Sequence, residues 1–348
     1  MSPWFSRKRR PALAVSAVAV SLLLAVSGCS SDSEEESGGS SKGGGAYPVT
    51  IKSALGKAEI EKKPERVVTL GQGSAETSIA LGKTPVGVEE YKWGSDKSGY
   101  LPWIHEAVKK KGDKLPKQFK GGEDLDVEAI LELEPDVILA PWSGITKQQY
   151  KLLSDIAPTV AYPDKAWSTN WDEQIQIIAK ALGSPADGDK LIARIKKQLA
   201  DAGKKRPEYK KLSFSYIYTD GPGTLGVFLP DEQRVKMVSM LGMKVDPVVK
   251  TFKETTGTDS ALIGLENAKK LSKSDLIFTF YSDKKTREEI EAQPLYAKIP
   301  AIKKDAVVAS DNNAFVTASS TINPLTVPWM VDRYLPLIDK AVDAHEKG

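Results

Sequence analysis

The sequence predicts an α/β protein of two lobes, each a central sheet flanked by helices, joined by one long rigid helix. Three observations carry that expectation. The stretch from Trp171 to Lys205 reads as helix from end to end with one break. Short β-branched runs alternate with helical stretches on both sides of it. The chain has 348 residues, 41% of them apolar, enough for two ordinary cores.

The first 28 residues read as a signal peptide. Arg7, Lys8, Arg9 and Arg10 precede an apolar run from Ala12 to Val26, too short for a confident membrane span and closely followed by Gly28 and Cys29. Cys29 is the only cysteine, which excludes disulfides, thiol catalysis and cysteine metal sites. Residues 29–46, built of Ser, Gly and Glu, read as a flexible tether. The formal charge of +3 includes four cations and no acid in the signal peptide, which leaves −1 for the rest. No basic footprint for nucleic acid remains, and Lys109-Lys110-Lys111 reads as a solvated helix face.

The N-terminal lobe is expected over 47–169. A strand at Pro64 to Leu70 leads through the loop Gly71 to Ser74 into a helix from Ala75 to Leu81, then a strand near Val86-Gly87-Val88. Glu89 to Gly122 is irregular and rich in Trp, Tyr and Pro, as functional loops are. A helix from Asp126 to Leu133, a strand from Asp136 to Ala140, a helix from Lys147 to Ile156 and a strand at Thr159 to Tyr162 follow.

Residues 170–206 form the interlobe segment. Ile175, Ile178, Ala179 and Leu182 keep helical spacing up to Gly183, a left-handed cap. Ser184 as N-cap, Pro185 at the first helical position and Asp187 at the positive helix end restart it. Leu191, Ile192, Ile195 and Leu199 then give an apolar stripe on a rod of about 30 Å.

The C-terminal lobe is expected over 207–348. It has a strand at Leu212 to Tyr218, a helix from Asp231 to Leu241, helical Lys285 to Gln293, a strand at Ala306 to Ala309 and closing helices near Leu325 to Ala344. Gly221-Pro222-Gly223-Thr224-Leu225-Gly226 fits the dinucleotide fingerprint formally, yet extended Val227 to Pro230 follows it, so it reads as a turn. A weak repeat links the lobes. Leu125-Asp126-Val127-Glu128, followed by Asp136-Val137-Ile138, echoes Ile263-Gly264-Leu265-Glu266, followed by Asp275-Leu276-Ile277.

Pro64-Glu65-Arg66-Val67-Val68, Leu81-Gly82, Glu134-Pro135-Asp136-Val137-Ile138, Ala157-Pro158-Thr159-Val160 and Pro294-Leu295, in this order from Val49 to Ala344, resemble the ferric-siderophore receptor lipoproteins. These are substrate-binding components of ABC importers, in the helical-backbone group that also takes vitamin B12 and haem. The resemblance implies a ligand cleft between the lobes. Val26-Ser27-Gly28-Cys29 resembles the bacterial lipobox, which implies lipidation of Cys29 and anchoring on the extracytoplasmic face of the membrane; the receptor is expected to be a monomer. The resemblance to the receptor family also implies that Glu128 and Glu266, one on each lobe, meet arginines of the permease dimer.

The residues themselves argue against catalysis. His105 and His345 are the only histidines, neither looks like a buried base, and no Gly-x-Ser-x-Gly elbow exists. No catalytic residue, resident metal or cofactor is therefore expected; iron must arrive already chelated. An organic chelate calls for aromatic faces and a few directed donors. The candidates are Tyr91, Trp93, Trp103 and Trp142, then Tyr162 and Trp167 nearer the hinge, then Phe228, Arg234, Tyr281 and Phe315. Trp171 and Trp329 are assigned to the core. Arg234 is expected either to donate to the chelate or to pair with Asp231 on its own helix. A neutral aromatic cleft suits a hydroxamate chelate better than a trianionic catecholate. A haem or cobalamin receptor of the same fold and an envelope-anchored hydrolase are the alternatives.

Overall fold

The computed structural model describes residues 47–219, 221, 223–256 and 258–348; the expected signal peptide, Cys29 and the 29–46 tether lie outside the described residues. Strand β1 (Val49–Lys52) pairs antiparallel with β2 (Lys57–Ile60). Then come β3 (Val67–Thr69), α1 (Ser74–Ala80), β4 (Gly87–Glu89), α2 (Pro102–Lys111), β5 (Lys117–Phe119), α3 (Val127–Leu131), β6 (Val137–Leu139), α4 (Lys147–Ile156) and β7 (Thr159–Val160). Strands β3 to β7 form a parallel sheet in the order β5-β4-β3-β6-β7. β3 and β6 lie at its centre and are buried on both faces, so Val67-Val68-Thr69 and Val137-Ile138-Leu139 run without polar alternation.

The interlobe stretch forms α5 (Trp171–Ala181) and α6 (Pro185–Lys204), broken at Gly183, whose φ is 69°. One detail differs. The Ser184 side chain caps nothing; its carbonyl oxygen instead accepts from the N–H groups of Asp187 at 3.0 Å and Gly188 at 3.2 Å.

Beyond α6 lie β8 (Ser213–Tyr218), β9 (Gly226–Phe228), α7 (Gln233–Met240), β10 (Lys244–Val245), β11 (Ser260–Leu262), β12 (Leu276–Phe280), α8 (Lys284–Glu291), α9 (Pro300–Lys303), β13 (Val307–Ser310), α10 (Asn313–Ala318) and α11 (Thr326–Lys347). The second sheet has the order β11-β9-β8-β12-β13, with β10 also beside β8. β8, β12 and β13 run parallel, while β9 and β11 are antiparallel additions. The Gly221 segment is a turn, its Thr224 N–H donating to the Gly221 carbonyl, and β9 follows it rather than a helix. The closing helices are one helix, α11, continuous through Pro336.

Two further expectations change. Glu89 to Gly122 is not one irregular loop, because α2 and β5 lie inside it. Pro102 starts α2, Gly112 ends it at φ 74°, and Trp103, Ile104 and Val108 bury its inner face. The echo of Glu128 to Asp136 is part helix and part 3-10 turn, since Leu265–Leu271 is 3-10.

The repeat nonetheless has a physical basis at its aspartates. Asp136 accepts the N–H groups of Glu65 at 2.7 Å and Arg66 at 3.0 Å, just ahead of β3. Asp275 accepts the N–H of Ser213 at 2.7 Å, at the start of β8. Each lobe thus fixes the start of one central strand with the carboxylate that precedes its neighbour.

One apolar cluster runs from Ile104 and Val108 on α2, through Ile175 on α5 and Leu199 on α6, to Phe214 and Phe278 in the second sheet. The lobes share that core. Gly203 brings α6 close to the end of α7: a Cβ there would sit 1.9 Å from the Leu241 carbonyl oxygen.

Candidate ligand-binding cleft

The parallel strands of the first sheet end on one side of the molecule, where open α/β sheets bind ligands. Gln72 follows β3, Tyr91 follows β4 and Trp142 follows β6. From the other lobe come Phe280 at the end of β12, Arg234 on α7, and Thr317 on α10. Together they line a cleft of about 280 Å³.

Two glycines shape this wall, one by its backbone conformation and one by the space its missing side chain leaves. Gly71 has φ 73°, and a Cβ would lie 1.8 Å from the Trp142 carbonyl oxygen. At Gly144 a Cβ would meet the Trp167 ring at 2.4 Å. Trp167 itself takes a left-handed backbone, φ 62°, and packs edge-to-face on Trp142 with ring centres 4.8 Å apart. It is 47% exposed, as a residue at a cleft mouth is.

Arg234 is held on three sides. Its Nη1 donates to Glu232 Oε1 at 2.5 Å, and its guanidinium lies 4.6 Å from the Phe228 ring centre and 5.4 Å from that of Phe280. Glu232 is also the N-cap of α7, accepting the Arg234 N–H at 2.7 Å. Burial pushes the Glu232 carboxyl up, and Arg234 opposes that rise. Burial likewise raises the Tyr91 phenol, again opposed by Arg234. Asp259, at φ 47°, has a carboxyl raised by burial and then by Glu254.

Five of the expected contacts therefore meet at the cleft: Tyr91, Trp93, Trp142, Trp167 and Arg234. Four do not. Trp103, 3% exposed, sits in the shared core, its indole N–H donating to Glu76 at 2.9 Å. Tyr281 is 2% exposed and its hydroxyl lies 2.8 Å from that of Tyr296. Alternation along a strand puts Tyr281 and Phe280 on opposite faces, so Phe280 takes the cleft position instead. Phe315 is buried against Tyr334, ring centres 5.5 Å apart, and leaves Val316 and Thr317 to the cleft. Phe228 lies beneath Arg234 as its support. Tyr162 is buried as well, donating to the Ile145 carbonyl oxygen at 3.2 Å.

The partner expected for Arg234 also changes. Asp231 faces Lys236 at 3.5 Å, whereas Glu232, two residues before Arg234, carries the pair. Trp171 is buried as expected. Trp329 is only partly buried, lying edge-on to Trp103 with the Arg333 guanidinium 4.1 Å from its ring centre. Gln72, Asn170, Asp259 and Thr321 join the cleft unannounced by any sequence pattern.

Two lobes on a shared helical frame, with a cleft lined from both sides by rings and donors, define a solute-binding protein. The chain belongs to the periplasmic binding protein family, whose sequence profile matches residues 67–314. It is similar to PiaA of Streptococcus pneumoniae TIGR4, whose crystal structure was obtained in complex with ferrichrome. The two are 33% identical with a TM-score of 0.76, over 85% of this chain and 99% of that one. The iron(3+)-hydroxamate-binding protein YxeB of Bacillus subtilis (strain 168) is 23% identical over 336 residues, covering 94% of this chain and 97% of that protein. The ferric enterobactin-binding periplasmic protein FepB of Escherichia coli O6:H1 is 24% identical over 287 residues, covering 77% and 86%.

Proposed function

We propose that this protein captures a ferric siderophore of hydroxamate type outside the cytoplasmic membrane and delivers it to an ABC permease, without catalysing a reaction. One observation carries the choice of chelate. Arg234 is the sole cation among the described residues lining the cleft, and Glu232 already pairs with it, while Asp231 and Asp259 add negative charge. A trianionic catecholate would meet net repulsion there. Like charges about 4 Å apart repel by about 4 kcal/mol at an effective dielectric near 20. A ferric trihydroxamate, neutral at its metal centre, avoids that cost and presents carbonyl oxygens to Arg234 and apolar faces to the indoles. The ferrichrome bound by PiaA and the name of YxeB support this reading; FepB points to a catecholate, and the cleft charge argues against that transfer.

Delivery rests on two exposed carboxylates. Glu128 stands in the first turn of α3, and Glu266 in the first turn of the 3-10 segment Leu265–Leu271. They are proposed as the two permease contacts, and Cys29 as the lipid-bearing residue that anchors the receptor as a monomer. The decisive experiment is a tryptophan-fluorescence titration against ferric hydroxamates, a ferric catecholate, haem, cobalamin and free ferric salt. Saturable quenching by ferric hydroxamates alone is expected; tighter binding of the catecholate or of uncomplexed iron would overturn the assignment.

A further inference from the structure

A second cavity, of about 140 Å³, adjoins the cleft on the side of the first sheet and shares Tyr91, Trp142 and Trp167 with it. Its remaining walls are largely apolar, formed by Ala75, Val88 and Leu101, and the carboxyls of Glu76 and Glu89 are the only charged groups among the described residues lining it. A space of about 150 Å³ in a protein interior admits a ring the size of benzene, so a short aliphatic chain fits here.

Neither carboxyl forms a salt bridge among the described residues; each is held by neutral donors. Glu76 accepts from the Trp103 indole N–H at 2.9 Å and from the Gly73 N–H at 2.9 Å, and Glu89 accepts from the Gly71 N–H at 2.8 Å. A carboxylate has about four acceptor positions, so both retain capacity. Burial pushes both carboxyls above their ordinary range, the behaviour of acids without a cation beside them.

We propose that this pocket receives an aliphatic arm of the cargo that ends in a primary ammonium group, which sits between Glu76 and Glu89. The receptor thereby prefers chelates bearing a free amine over their neutral counterparts. This deepens the hydroxamate reading and rests on it. The apolar walls match the methylene chain, and the two acids match the ammonium. A carboxylate-ended arm meets no cation among the described residues of this pocket.

The test compares the ferric complex of a linear trihydroxamate ending in a primary amine, ferrioxamine B, with its N-acetylated form. Acetylation removes the charge and leaves the iron centre untouched. The amine form is expected to bind about tenfold to a hundredfold more tightly, the range for a charge-assisted hydrogen bond formed away from water. Glu76→Gln should bring that ratio towards one. Should Glu76→Gln fail to fold, Ala75→Leu carries the test, because it fills the pocket without altering a charge and should also abolish the preference. Equal binding of both forms by the unaltered protein overturns the arm pocket and leaves the hydroxamate reading standing, as does a preference that survives both substitutions. Failure of both forms to bind overturns the hydroxamate reading and this proposal with it.

Discussion

Glu232 holds Arg234 by two bonds, one to its guanidinium at 2.5 Å and one to its backbone N–H at 2.7 Å. Cap and counter-ion are the same side chain, so the start of α7 and the aim of the arginine are set together. Arg234→Ala should weaken ferric hydroxamate binding by about tenfold to a hundredfold. Arg234→Lys should not restore it, because an ammonium lacks the planar fork that lies over Phe228. A titration in which the lysine variant binds like the unaltered protein would refute this account.

Trp167 combines exposure with a left-handed backbone that costs a non-glycine residue about 1–2 kcal/mol. Trp167→Gly relieves that cost while removing the ring that meets Trp142. Its melting temperature should therefore hold or rise while cargo affinity and fluorescence quenching fall. A large drop in melting temperature would instead make Trp167 a structural residue.

Asp339 on α11 accepts from Arg206 at 2.6 and 2.8 Å and from Tyr209 at 2.5 Å. Burial works to raise its carboxyl, but these donors prevail and hold it below its ordinary value. A folded-state value depressed in this way gives stability that is present above the unfolded carboxyl range, near about pH 4, and lost as pH falls through the folded value. Asp339→Asn should cost about 1–2 kcal/mol at pH 7, a modest figure because the side chain is 41% exposed. Denaturant unfolding at pH 7 and at pH 3 checks this: the gap between the two proteins should narrow in acid, and an unchanged gap would exclude the ion pair as its source.

Glu128→Ala combined with Glu266→Ala removes two exposed carboxylates and no buried contact. Cargo affinity and melting temperature should stay nearly constant while uptake by cells collapses, since rim charges govern encounter and register more than stability. Normal uptake by the double variant would remove both residues from the permease contact.

The frame was legible wherever one residue type leaves the chain little choice. Gly183 and Pro185 mark the break between α5 and α6 through their backbone limits alone. The aspartates at 136 and 275 declared the repeat because each performs one local task, accepting the N–H at a strand start. Helix α2 was hidden because only Trp103, Ile104 and Val108 mark its buried face between Pro102 and three lysines, which is too little pattern in a region dense with aromatics. The cleft was half legible for a sharper reason. Being near a strand end says that a ring is close to the ligand side, but the face it takes turns over with each residue, and Phe280 and Tyr281 differ by one. Likewise helical spacing favours Asp231 as partner for Arg234, whereas the residue that caps the helix, Glu232, reaches it through a turn that no periodicity describes.

Gly203 puts α6 backbone against the end of α7, and the start of α7 carries Arg234 into the cleft. The back of the cleft is thus braced along a rod of about 30 Å. In kinetic terms, a braced wall puts the pace of exchange on the contacts between solute and cleft. A solute departs when its own contacts fail, and each further 1.4 kcal/mol of fit lengthens its stay about tenfold. How long the cleft stays loaded is then a property written in the solute: one that matches the rings and the arginine persists, and one that does not is soon gone.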